Sequence, residues 1–358
     1  MDLQTIKLSQ KECNMMRGVA IFFILFHNLT RVMTECHENE FFYDLGNTNL
    51  FLNSLLNFDS SLWLNISTFL GWYGVVTFVF LSGYGLVRKY EDKPTELCFK
   101  SLLWYNFKKL FCLMIIPCLL YMLMAYLLHN HILGVEKTFF QLTFLANIVC
   151  PDYIDPGVYW YFGLMLQLYV CYYFFFYKKR IRLSIYVNII SLLIYVFILS
   201  MGKMGEMFYL SHNCIIWILP FTLGILYARN KIKLPKLSYA RNLVLFFLGS
   251  MVLVVLNCNA YAWLLSSVVA IFLALCLNNI VKPIKFIYPI FVYMGVLSAF
   301  IFCVHPHMRQ LYLNLNGSKE FLEVLLYYFI PTIILAILYM KFYKELFVST
   351  KANESKTQ

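Results

Sequence analysis

The chain has 358 residues, of which 61% are hydrophobic and only 13% charged, where soluble proteins carry about 25% charged residues. That balance excludes an ordinary soluble enzyme, and no polar stretch is long enough to enclose a separate water-soluble core, so one membrane-embedded domain is the economical reading. The formal charge of +11 has to be placed relative to the membrane before a nucleic-acid partner is considered.

About ten apolar segments are long enough to cross a hydrocarbon core of about 30 Å as helices. They span residues 15–34, 67–87, 109–129, 157–177, 183–201, 207–227, 242–258, 260–277, 286–306 and 322–342. Only Asn257, Cys258 and Asn259 separate the seventh from the eighth, which predicts a tight helical hairpin. With a cytoplasmic N-terminus, the outer side keeps just Arg31, Lys137, Lys203, Arg309 and Lys319 of the 29 Lys and Arg. Cationic loops resist translocation, so both termini are expected inside and the net charge reports orientation, with no nucleic-acid partner. The fold expected is an all-α integral membrane bundle over residues 1–345, followed by a polar, disordered tail over 346–358.

The first apolar stretch runs into a full span without an Ala-x-Ala-like site, so it does not read as a cleavable signal peptide. There is no internal repeat. Most of the eleven cysteines lie inside spans and read as small buried hydrophobes. Cys36 and Cys150 both fall in outer loops, where an oxidising compartment would let them pair.

Ionisable residues at membrane depth cost on the order of 3 kcal/mol or more, which makes each a candidate for function. The first span carries Arg17 at its inner end and His27 about 15 Å further along, followed by Asn28. The second ends in a small-residue run including Ser82, Gly83 and Tyr84, readable either as a helix-packing notch or as room for a ligand against the backbone. Lys108 and Lys109 open the third span on the same side and either obey the positive-inside rule or form an anion site. Trp160 and Tyr161 open the fourth at its outer end, as belt residues or as a face for a sugar ring. The ninth ends in His305, Pro306 and His307. No pair of these histidines has metal-ligand spacing, and His129 and His131 fit a wetted helix end, so no metal is expected. Walker, dinucleotide and Gly-x-Ser-x-Gly motifs are absent.

In order along the chain stand Arg17-Gly-Val-Ala-Ile leading to His27, Gly74-Val75 through Phe78 to Leu81-Ser82-Gly83-Tyr84, and Trp160-Tyr161-Phe162 through Gln167-Leu168-Tyr169. Leu219-Pro220-Phe221 to Gly224 and Ser298 to His305 complete the series. Together they resemble the acyltransferase 3 family of bacterial integral membrane O-acyltransferases over about residues 11–345.

The resemblance implies an enzyme of the bacterial cytoplasmic membrane that moves an acyl group, usually acetyl, from cytosolic acetyl-CoA to a hydroxyl of a cell-envelope carbohydrate. It implies no resident cofactor, and here a stand-alone membrane unit without an esterase-like domain. His27, with Arg17 and Asn28, would be catalytic; Ser82, Gly83, Tyr84, Lys108 and Lys109 would hold the acyl-CoA donor; Trp160, Tyr161 and His305 would line the acceptor side. Two positions depart from the family pattern. His27 is ten residues beyond Arg17 where eleven is usual, which gives Asn28 the eleventh place, and lysines stand where the third span often begins with two arginines. A polysaccharide or lipid-linked sugar exporter is the competing reading. The lack of a carboxylate deep in any span and of inverted-repeat symmetry weighs against it.

Overall fold

A computed structural model describes residues 3–4, 7–40, 43–58, 60–93, 96–130, 132–232, 234–235, 237–315, 317 and 319–347. His131 and the predicted tail from 348 onward lie outside the described residues. The bundle begins with a two-residue antiparallel ladder between β1 (Leu3–Gln4) and β2 (Leu234–Pro235). Helix α1 (Gln10–Thr30) starts with a capping box in which Ser9 and Glu12 satisfy each other's backbone amides. On the far side of α1, α2 (Leu45–Asn57) starts at Asp44, whose side chain accepts from the amides of Gly46 and Asn47. Then α3 (Leu62–Gly71) and α4 (Tyr73–Tyr90) meet at Trp72 and form one stretch, Leu62–Tyr90, longer at both ends than the predicted second span.

Helix α5 (Phe99–His129) contains Pro117. A proline lacks the amide that would bond the carbonyl four residues earlier. That carbonyl, of Leu113, accepts instead from the Tyr339 hydroxyl at 2.7 Å. The short helices α6 (Val135–Leu142) and α7 (Ala146–Val149) follow, then α8 (Trp160–Cys171), which is extended by a 3-10 turn before it and a π turn after it to cover Gly157–Phe176. After α9 (Ile181–Ser200) comes α10 (Met204–Ser211), which breaks at His212–Asn213 before α11 (Cys214–Ala228).

Next are α12 (Tyr239–Leu256), α13 (Ser266–Val281), α14 (Ile287–Asn314), α15 (Phe321–Val324) and α16 (Ile330–Phe347). The α12–α13 turn is longer than the three residues expected. The Asn259 side chain accepts from the amides of Tyr261 and Ala262 at 3.0 Å each, so the turn continues past residue 260 and helical structure resumes at Trp263.

Eight of these stretches are long and apolar enough to cross a membrane: Leu62–Tyr90, Phe99–His129, Ile181–Ser200, Gly205–Ala228, Tyr239–Leu256, Trp263–Val281, Ile287–Asn314 and Phe321–Phe347. The first and fourth predicted spans fall on α1, which is helical but more polar, and on Gly157–Phe176, which is helical and rich in aromatic residues, and both carry candidate site residues. The closest helix pair is α1 with α14. A Cβ on Gly18 would run into the Phe291 carbonyl, and one on Gly295 into the Asn14 carbonyl, so only glycine permits the approach. All eleven cysteines are free thiols, Cys36 and Cys150 included.

Candidate functional site

His27 stands one turn from the C-terminal end of α1 and is 2% exposed. Its Nδ1 lies 2.8 Å from the carbonyl of Thr68 in α3. Because a carbonyl can only accept, that contact puts the proton on Nδ1 and leaves the Nε2 lone pair available. Nε2 has no hydrogen-bond partner among the described residues. It faces two carboxylates, Glu40 at 3.7 Å and Glu38 at 4.0 Å.

Both acids come from the loop that follows α1, and both are buried. Buried carboxylates need a counter-charge. Arg31 supplies it, at 2.9 Å from Glu38 and 3.9 Å from Glu40. The donor atoms of His27, Glu38 and Glu40 all lie within 4.8 Å of one another, a grouping compatible with a cation. The guanidinium of Arg31 brings a positive charge to the same cluster.

His27, Arg31 and Glu40 of the cluster line a cavity of about 470 Å³ that also touches Asn28, Trp160, Tyr161, His212 and Arg309. Arg309 of α14 donates to the Asn28 carbonyl at 3.2 Å, which brings a second guanidinium to the backbone next to His27. The side-chain amide of Asn28 donates to the Ile24 carbonyl of its own helix. Trp160, also in the lining, packs against Trp217 and His212 with ring centroids 5.2 and 5.7 Å apart.

The helix break at His212–Asn213 is held by side chains. Asn147 donates to the carbonyls of Trp160 at 2.8 Å and His212 at 2.6 Å. Gln167 donates to Asn213 Oδ1 at 2.8 Å and accepts from the Cys214 amide at 2.9 Å. Irregular backbone of this kind is tolerated at membrane depth only where protein groups satisfy it around a cavity.

From the cavity, polar groups continue toward the other end of α1. The Tyr161 hydroxyl bonds the Ser82 side chain, and Arg17 is within electrostatic reach of both Tyr161 and Tyr169. Lys109 in turn interacts with Arg17 and with Lys89, whose ammonium sits 4.0 Å from the centre of the Tyr105 ring. Tyr161 thus bonds Ser82, while Arg17 is electrostatically felt by Tyr161 and, as a like charge, by Lys109. Lys108 is exposed on α5.

Three expected positions point elsewhere. Gly83 packs against the Phe221 carbonyl of α11, and the Tyr84 hydroxyl donates to the Leu8 carbonyl at 3.0 Å. His305 is fully buried, with Nδ1 2.8 Å from the carbonyl of Phe302. That carbonyl is the one Pro306 leaves without its helical amide partner, so Nδ1 repairs a proline break, while Nε2 has no hydrogen-bond partner among the described residues.

Reading of the sequence passed over Arg31, Glu38, Glu40, Thr68 and Arg309. One signal was available for the acids. Glu38 and Glu40 are two residues apart, so an extended segment right after the histidine helix presents both side chains on the same side.

Neither the curated proteins nor the solved structures provide a match to this chain. A family model described as an acyltransferase domain matches residues 11–340, nearly the whole chain. With a matched length that takes in α1 to α16 and both ends of the polar path, the chain belongs to the acyltransferase 3 family and is a membrane acyltransferase.

Proposed function

We propose that the protein transfers an acyl group, in the simplest case acetyl, from cytosolic acyl-CoA to a hydroxyl of a cell-envelope carbohydrate, in the cytoplasmic membrane of a bacterium. In this reading the chain crosses the bilayer about ten times with both termini cytosolic. The observation that carries it is His27: its Nδ1 is tied to Thr68, its Nε2 has no hydrogen-bond partner among the described residues and faces two carboxylates, and the residue lines a cavity.

The acceptor hydroxyl enters the 470 Å³ cavity against Trp160 and presents its proton to Nε2. As the hydroxyl oxygen attacks the thioester carbonyl, the proton moves to Nε2, and Glu38 and Glu40 stabilise the resulting imidazolium. The tetrahedral intermediate collapses with cleavage of the carbon–sulfur bond. The thiolate takes the proton back from His27, releasing an ester and free CoA. Arg309 would stabilise negative charge on the reacting carbonyl oxygen. Arg17 and Lys109 attract the donor's phosphates, Lys108 adds charge at the same end, and the Ser82 notch receives the pantetheine arm.

The test is incorporation of labelled acetyl from acetyl-CoA into envelope glycans by membranes containing the native protein or His27→Ala at equal abundance. Loss of a general base is expected to lower turnover by about 10²- to 10⁴-fold. Full incorporation by His27→Ala would remove the base assignment. No label from native membranes, together with altered delivery of polymer to the surface, would favour an exporter.

A further inference from the structure

A second cavity, of about 570 Å³, opens where the α8–α9 connection meets the end of α11. Its cationic lining comprises Lys178, Lys179, Arg180, Arg182, Arg229 and Lys231, with Glu91 as the opposing carboxylate. Glu91 is already engaged. Arg229 grips it through Nε at 2.8 Å and Nη2 at 2.5 Å, and the Tyr172 hydroxyl donates to it at 3.0 Å. The other five cations are exposed, and no ion pair seen among the described residues uses them.

These charges sit on a fixed frame. Arg229 also donates to the carbonyls of Phe176 and Lys179, and the Lys178 amide approaches Glu91 at 3.4 Å. Five like charges around one cavity repel one another and attract an anion. Helix α9 begins here with no side-chain cap and no acid in its first turn, which adds its free amides to the same potential.

The surface that continues from the cavity identifies the occupant. Only 17% of the apolar window of α9 is buried. Ile181, Ile185, Ile189 and Leu192 are 39%, 48%, 47% and 40% exposed. Their spacing of three to four residues places them in one stripe running down from the basic ring. A soluble phosphate would use the cations alone, whereas a phospholipid would use both the cations and the stripe. We propose that this cavity binds the phosphate headgroup of an anionic phospholipid from the adjoining leaflet, with an acyl chain laid along α9. The site is separate from the His27 cavity and does not depend on the acyl-transfer reading.

The full-length protein in detergent would be loaded with phosphatidylglycerol or phosphatidylcholine and the retained lipid measured by native mass spectrometry. Phosphatidylglycerol is expected to be retained preferentially. The variant Lys179→Gln/Arg180→Gln/Arg182→Gln, which leaves the Glu91–Arg229 tie intact, should bind it about a hundredfold more weakly, at roughly fivefold per cation removed. The charge-preserving Lys179→Arg/Arg180→Lys/Arg182→Lys should bind as the native protein does, separating charge from folding. Equal retention of the two lipids, or unchanged phosphatidylglycerol binding in the glutamine variant, would overturn the site. Displacement of the lipid by millimolar inorganic phosphate or glycerol phosphate would overturn its assignment to a lipid.

Discussion

The stretch Leu62–Tyr90 has 78% of its apolar window buried within the protein, and Tyr239–Leu256 has 11%. Both are hydrophobic and helical, yet the first carries Thr68, Ser82 and the wall of the His27 cavity, while the second shows Val244, Phe247 and Val255 to its surroundings. In a bilayer the lipid is as apolar as leucine, so hydropathy cannot say which helices lie inside; small residues and polar pairs do. The difference predicts where substitutions matter.

Its largest expression is Gly295→Leu. With the Asn14 carbonyl against that position, α1 and α14 cannot close, and the protein should fail to accumulate as a folded species on size-exclusion chromatography in detergent. Phe247→Ala on α12, 63% exposed, should leave the same profile unchanged. Equal damage from both would mean that α12 packs against something in the membrane.

Glu40→Gln and Glu38→Gln come next, and they bear on the proposed chemistry. Each removes one carboxylate facing Nε2 of His27, and turnover in the acetyl-incorporation assay is expected to fall about tenfold while abundance holds. If abundance falls in step with turnover, the acids are structural.

A smaller effect separates His305 from the site. His305→Leu strands the Phe302 carbonyl at a cost of about 1–3 kcal/mol. In the double variant His305→Leu/Pro306→Ala, the amide at 306 can bond that carbonyl again. Thermal unfolding should therefore show the single variant destabilised and the double variant largely recovered. No recovery would assign His305 another role.

The mildest test concerns sidedness. The Cys98 thiol is exposed, and hydrogen bonds to Ser101 and the Lys100 amide, at the start of α5, hold its pKa below the usual thiol value. A larger thiolate fraction near neutral pH makes it the faster to alkylate. Burial, with Glu38 nearby, pushes Cys36 up to about 12, so it stays protonated and slow. A membrane-impermeant maleimide should label Cys98 only from the cytosolic side and the exposed Cys258 only from outside. The reverse pattern would invert the proposed topology.

Much of the helix pattern was legible because hydropathy and proline position are local properties. The α12–α13 boundary was not, because the side chain of Asn259 decides where the turn ends. Arg17, His27, Ser82, Tyr161 and Lys109 could be selected as polar groups in apolar surroundings, and of these His27 and Tyr161 line the same cavity. Gly83 and Tyr84 adjoin Ser82 in sequence but leave the helix in other directions, toward α11 and Leu8, since successive residues on a helix point about 100° apart.

By itself the sequence determined the solvent, the helical class and the family, since composition and ordered motifs survive without knowledge of contacts. Only the tertiary structure decided which histidine stands against carboxylates. Thr68 is 41 residues from His27 along the chain and takes its Nδ1, the loop after α1 folds back to bring two carboxylates, and a carbonyl freed by Pro306 occupies His305. Each of those outcomes depends on which buried polar group finds which partner, and in a low-dielectric interior that pairing is set by packing between segments rather than by any one of them.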